Sequence, residues 1–93
     1  MKVYIFHQWF EDGLFIFKEH PKNLEVMQLY KLLVRKSENI EECLLDTFMH
    51  VINGENLSDK EYNKRYKAWL SKMNFEDFCN NACLELSVEK IIE

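Results

Sequence analysis

The chain has 93 residues, of which 47% are hydrophobic and 30% charged, and its 16 acids against 12 bases give a net charge of −4. This length predicts one compact domain over residues 1–93 and is too short for a TIM barrel or an α/β-hydrolase. Only two glycines are present, which leaves no material for a phosphate-binding loop. No apolar run approaches the roughly 18 residues of a transmembrane helix.

The N-terminal sequence and the number of cysteines indicate the cellular compartment of the protein. His7 and Gln8 interrupt the first apolar stretch, and no small-residue cleavage site follows it, so we do not expect a secretory signal. Three cysteines, an odd number, do not make a disulfide framework. Both features predict a chain that resides in the reducing cytoplasm.

The first 19 residues have the pattern of a β-hairpin. Residues 2–10 alternate between two faces and are rich in aromatic and β-branched types, which predicts a strand. The Glu-Asp-Gly of residues 11–13 is a turn signal, and residues 14–19 predict the returning strand. Both faces of the hairpin carry apolar side chains. Because a lone hairpin is marginal in water, we expect helices, a further strand or another chain to cover it.

From residue 23 the apolar period changes to that of a helix, and four helices are predicted. The second helix is expected to have Val51 on its apolar face and to end at Asn53-Gly54. The expected N-terminal caps, in chain order, are Asn23, Asn39, Ser58 and Asn74, of which Asn39 and Ser58 open capping-box patterns.

The C-terminal segment is ambiguous. The apolar face of the fourth helix reaches Leu86, but Val88, Ile91 and Ile92 would fall on its opposite side. We expect a short further helix capped by Ser87, with a strand as the alternative. The predicted fold is therefore α+β, an N-terminal β-hairpin packed on a bundle of four to five short helices.

Charge is distributed in blocks along the chain. Residues 37–59 hold six acids and no base, whereas residues 60–72 hold five bases and one acid. Three of the acids stand at four-residue intervals along one edge of the second helix, and two more extend the acidic block. These five are Glu38, Glu42, Asp46, Glu55 and Asp59.

The basic block forms a stripe on the third helix through Lys60, Lys64 and Lys67. Interleaved aromatic residues give it some likeness to a single-strand nucleic-acid site. The overall negative charge opposes phosphate, and the aromatic residues belong to the predicted buried stripe. Direct nucleic-acid binding through this helix is kept as an alternative function.

Catalytic and metal sites receive little support. The chain has no nucleophile elbow, no zinc-protease motif and no Cys-x-x-Cys, so we expect neither an enzyme nor a cofactor. Cys43, His50, Cys79 and Cys83 could hold tetrahedral zinc if the second and fourth helices were neighbours. Cysteine is commonly buried as a small hydrophobic residue, however, and we predict no metal.

The expected function is binding without catalysis. We predict that the acidic helix edge, the hairpin around Trp9 and Phe10, or both engage a larger protein, with a nucleic-acid-binding protein as the favoured kind of partner. An inhibitor or adaptor fits this description, and a phage-encoded, anti-CRISPR-like inhibitor that occludes a nucleic-acid-binding surface is its most specific form. A homodimer formed by pairing hairpins is a further alternative.

Overall fold

The computed structural model of the protein describes residues 1–9 and 14–90. Two strands lie near the N-terminal end of the chain and one near the C-terminal end, and the helices lie between them. In chain order they are β1 (Lys2–Gln8), β2 (Leu14–Phe17), a 3-10 turn (Pro21–Asn23), α1 (Val26–Val34), α2 (Glu38–Val51), α3 (Asp59–Lys72), α4 (Phe75–Asn81) and β3 (Leu84–Lys90). The predicted α+β fold is confirmed, with four α-helices in the described part of the chain.

The three strands form one antiparallel sheet in the order β2-β1-β3. β1 pairs with β2 from Tyr4 opposite Phe17 to His7 opposite Leu14, which confirms the predicted hairpin. The expected turn at residues 11–13 lies outside the described residues, as does Phe10. β1 is central, so β3 supplies the further strand that the hairpin needed on one side.

The expectation of a short helix after Ser87 is wrong. Leu86 and Ser87 belong to β3, where they stand opposite Phe6 and Ile5 of β1. α4 ends at Asn81, and the positive φ of 59° at Cys83 turns the chain out of the helix. The alternating apolar pattern of the following residues then suits a strand, and β1 provides partners for its backbone groups.

Two predicted helix starts are also wrong. Asn23 lies in the 3-10 turn, and α1 begins after Glu25, whose N–H donates to the side chain of Gln28 at 3.3 Å. Asn39 lies inside the first turn of α2, which begins after Ser37. The 3-10 turn displaces the start of α1, because His20 caps that turn by accepting a hydrogen bond from the Lys22 N–H.

The other two predicted caps are confirmed. The Ser58 hydroxyl accepts a hydrogen bond from the Glu61 N–H at 3.3 Å, and the Asn74 side chain accepts one from the Asp77 N–H at 2.8 Å. Each cap satisfies a backbone donor that has no partner within its helix. These caps place the starts of α3 and α4.

The core lies between the helices and one face of the sheet. Its largest fully buried side chains, other than Pro21, are Phe6, Leu29, Leu33, Ile40, Leu44, Phe48, Leu70 and Phe78. Phe48 of α2 packs on three aromatic rings of α3, with centroid distances of 5.2 Å to Tyr62 and 5.3 Å to both Tyr66 and Trp69. This aromatic cluster fixes α2 against α3.

Val51 does not lie on the core face as predicted. Its side chain is 54% exposed and borders an open groove of about 620 Å³ between the end of α2 and α3. Phe48 and Trp69 also line the groove, together with the charged side chains of Arg65 and Lys72. Val51 therefore lines the groove, while Phe48 of the same helical turn makes the contact with α3. Within the described residues, no helix is both long and apolar enough to cross a bilayer.

Candidate protein-binding surface

An exposed acidic surface runs along α2. Glu38, Glu42 and Asp46 are all exposed, whereas Ile40 and Leu44 on the other side of the helix are fully buried. Four residues advance an α-helix by roughly 6 Å, so the three carboxylates follow one another along a single edge. We call these three residues the acidic edge.

The acidic edge is not neutralised by neighbouring side chains. In residues 1–9 and 14–90, the two ion pairs are both made by Arg65, to Glu55 at 2.6 Å and to Glu61 at 3.2 Å. Carboxylates without a cationic partner leave their negative field directed at solvent and at any approaching molecule. The acidic edge therefore presents three carboxylates that have no ion-pair partner among the described residues.

Glu55 and Asp59 are not part of the acidic edge, and each has a local interaction of its own. Glu55 is exposed, but its carboxylate is engaged by Arg65. Asp59 opens α3, where a carboxylate is favourable near the positive end of the helix dipole. Of the five acids that the sequence singles out, three share one edge of α2, and these two have local roles.

A fourth acid of α2, Glu41, forms a hydrogen bond within the protein and does not belong to the acidic edge. Its carboxylate accepts a 2.5 Å hydrogen bond from the Tyr30 hydroxyl of α1, in a half-buried position. Burial, followed by the hydrogen bond and the negative charge of Glu41, raises the pKa of Tyr30 to about 12. This contact ties α1 to α2 and so helps to hold the acidic edge in place.

An apolar side chain extends the acidic edge. Met49 follows Asp46 by three residues, which puts it about one helical turn further along the same edge, and it is 52% exposed. Methionine adapts its shape to varied contacts, and protein interfaces combine an apolar centre with a polar rim. The edge thus combines exposed charged and exposed apolar side chains.

The hairpin surface is only partly described. The Trp9 side chain is 53% exposed, and the backbone N–H of Trp9 donates to the Cys83 carbonyl at 3.0 Å, which anchors the end of β1. Among the described strands, β2 has one neighbour, so its outer edge is unpaired there, and its Ile16 is 64% exposed. The open edge at β2 keeps the homodimer alternative in view.

The basic stripe is present, and its aromatic residues are packed in the cluster around Phe48. Lys60, Lys64 and Lys67 are exposed along α3. Tyr66 and Trp69 of the same helix pack in the aromatic cluster, with centroids 5.9 Å apart and ring planes tilted by 31°. Rings packed in this way present less of their surface to a nucleobase, and direct nucleic-acid binding stays the alternative function.

The four possible zinc ligands that the sequence offers, at which we predict no metal, do not come together. No group of three or more histidine, cysteine, aspartate or glutamate side chains within the described residues is placed to hold a metal ion. Two members of the set do lie together, because Cys43 and Cys83 line the same narrow cavity and their thiols interact electrostatically. Cys79 is buried, and burial raises its pKa to about 11.

A serine–histidine pair lies on the outer face of the sheet. His7 Nε2 and Ser87 Oγ are 3.1 Å apart across β1 and β3. Sequence reasoning missed this pair because it depends on the pairing of β3, which the local pattern left open. A catalytic pair needs a third group that orients the histidine. No described carboxylate forms an ion pair with His7, which is exposed.

No family model, no curated protein and no solved structure matches this chain.

Proposed function

We propose that the protein is a non-enzymatic, cytoplasmic binding module that engages a basic surface of a larger protein through its acidic edge. The observation that carries this proposal is the exposure of Glu38, Glu42 and Asp46 without a cationic partner among the described residues. Unpaired charges of one sign accelerate encounter with an oppositely charged surface and set the register of docking. The exposed Met49 supplies apolar contact area beside them.

The basic surface of the partner is proposed to be one that binds nucleic acid, which would make the protein an inhibitor or adaptor. A phage-encoded, anti-CRISPR-like inhibitor is the most specific form of this proposal. Carboxylates spaced by roughly 6 Å imitate DNA only sparsely, since one DNA strand presents a charge about every 3.4 Å. Because the protein and nucleic acid would use the same basic surface, we expect nucleic acid to compete with the protein for its partner. Salt screens charges, so we expect this competition to weaken as the salt concentration rises.

The test is a charge reversal of the acidic edge with a matched control. The variant Glu38→Lys/Glu42→Lys/Asp46→Lys is compared with Glu19→Lys/Glu85→Lys/Glu89→Lys, whose sites are also exposed and which changes the net charge equally. Tagged wild type and both variants are used to capture proteins from the native host, and captured proteins are identified by mass spectrometry. Circular dichroism checks that both variants remain folded.

We expect the acidic-edge variant to lose a partner that the wild type and the control both retain. Added nucleic acid should displace that partner from the wild type. Equal capture by all three proteins would refute the acidic edge as the binding surface. A salt-dependent gel shift of free nucleic acid by the wild type, lost on replacing Lys60, Lys64 and Lys67 by Glu, would instead support direct nucleic-acid binding.

A further inference from the structure

The contact between Cys43 and Cys83 joins two distant parts of the fold. Cys43 lies on α2, and Cys83 lies in the turn between α4 and β3. Both side chains are half-buried and line the same narrow cavity beside Ala82 and Gln8, and the two thiols interact electrostatically. A disulfide spans a Cα separation of about 4.4–6.8 Å, so it forms only between cysteines that are neighbours in the fold, as these two are.

The backbone conformation of Cys83 is a second observation that singles out this cysteine, independent of its position beside Cys43. Three described residues have a positive φ, namely Asn53 at 52°, Gly54 at 74° and Cys83 at 59°. Glycine and asparagine are the residue types that adopt this conformation most readily. Cysteine is not, so Cys83 occupies a position that the backbone alone would assign to glycine. Strained positions of this kind often serve a function, and the strained residue here carries a thiol that shares a cavity with Cys43.

We propose that Cys43 and Cys83 form a reversible intramolecular disulfide when the reduced protein meets a low-molecular-weight disulfide such as oxidised glutathione. The bond would fasten α2, and with it the acidic edge, to the turn that precedes β3. Disulfides in cytosolic proteins are usually transient and redox-sensing, which suits a pair that is reduced at rest.

The reaction proceeds by two exchanges. The Cys83 thiolate attacks one sulfur of the oxidant, the S–S bond of the oxidant breaks, and one thiol is released after protonation. The Cys43 thiolate then attacks the Cys83 sulfur of the mixed disulfide and releases the second thiol. Two protein thiols are thereby oxidised and one disulfide is reduced to two thiols.

The second exchange, in which Cys43 attacks the mixed disulfide, is expected to be rate-limiting. Burial, contact with Cys83 and the negative charges of Asp46 and Glu42 raise the pKa of Cys43 to about 12. The Cys43 thiolate is therefore scarce near neutral pH, and the bond should form slowly there and faster at mildly alkaline pH. The half-exposed position of both thiols still leaves access for a small oxidant.

The experiment oxidises the full-length reduced protein with oxidised glutathione at mildly alkaline pH. Remaining thiols are then alkylated, and intact mass and peptide mapping follow. The chain has three free cysteines, and we expect one alkylated thiol and a peptide linked through Cys43 and Cys83. Cys79→Ala should form the same link. Cys43→Ala should stop at a glutathione adduct on Cys83.

Cys83→Gly is the control variant that removes the thiol without a risk of misfolding, because glycine adopts the positive φ of this position without strain. It should be at least as stable to heat as the reduced wild type and should form no internal link. The proposal is overturned if the oxidised wild type carries only glutathione adducts, links Cys79, or forms intermolecular dimers alone. A persistent link in either the Cys43 or the Cys83 variant would also overturn it.

Discussion

The aromatic cluster around Phe48 should contribute a large part of the free energy that holds α2 against α3. Phe48 is 2% exposed and contacts three rings of α3 at centroid distances of 5.2 to 5.3 Å. An aromatic pair contributes roughly 0.5–1.5 kcal/mol beyond burial of its surface. Replacing Phe48 by leucine keeps most of the apolar burial but removes all three pairs. Because neighbouring contacts are not additive, we expect a loss of about 2 kcal/mol rather than the full sum.

For a domain of this size, that loss should lower the Tm by about 8–16 °C. Urea unfolding followed by circular dichroism measures the free energy directly. Met49→Leu is the matched control, since Met49 is adjacent but 52% exposed, and it should change stability by no more than about 0.5 kcal/mol. If Phe48→Leu costs no more than this control, the cluster does not hold the two helices together, and the reasoning is refuted.

Three further predictions concern the caps and the titrating groups. Asn74→Ala should lower the free energy of unfolding by about 1 kcal/mol in urea titrations, because it removes the cap of α4. Asn39→Ala is the control, since Asn39 lies inside α2 and its replacement removes no cap. Equal losses in free energy for the two variants would contradict the assignment of Asn74 as a cap. The pKa of Tyr30, about 12, exceeds the unfolded value of about 10, so its stabilising contact is complete below pH ~10 and is lost as the pH rises toward 12. The Tm of the wild type should fall more steeply there than that of Tyr30→Phe, and parallel profiles would count against the contact with Glu41. Burial and the charge of Lys22 lower the pKa of His20, so stability present above pH ~6.5 should be lost as the pH falls further. His20→Asn, which keeps a side-chain acceptor, should show a flatter Tm profile than the wild type below that pH.

Local sequence patterns were sufficient where the determining contacts are close along the chain. The alternation in residues 2–8 predicts β1, and Ser58 and Asn74 predict the starts of α3 and α4, because a cap bonds to a backbone group three residues away. The acidic edge is equally local, since helix geometry alone aligns Glu38 with Glu42 and Asp46. These features needed no knowledge of the rest of the fold.

Features that depend on distant partners were not accessible in the same way. The segment 84–90 has a pattern compatible with helix or strand, and pairing with β1 at the other end of the chain decides between them. Asn39 fits the capping-box pattern, yet α2 begins earlier, after Ser37, which contacts β1 through a 2.8 Å hydrogen bond from Gln8. Tertiary contacts override local preference when they satisfy more backbone and side-chain groups.

The sequence by itself determined the α+β class, the helical acidic edge and the alternation of charged blocks, because each follows from the spacing of neighbouring residues. Only the tertiary structure decided which charges remain unpaired, since Arg65 reaches Glu55 across a turn and leaves the acidic edge without a partner among the described residues. It likewise decided that Cys43 meets Cys83 rather than joining a four-ligand metal site. Both outcomes depend on how helices and strands pack in space, and the spacing of residues along the chain does not encode that packing directly.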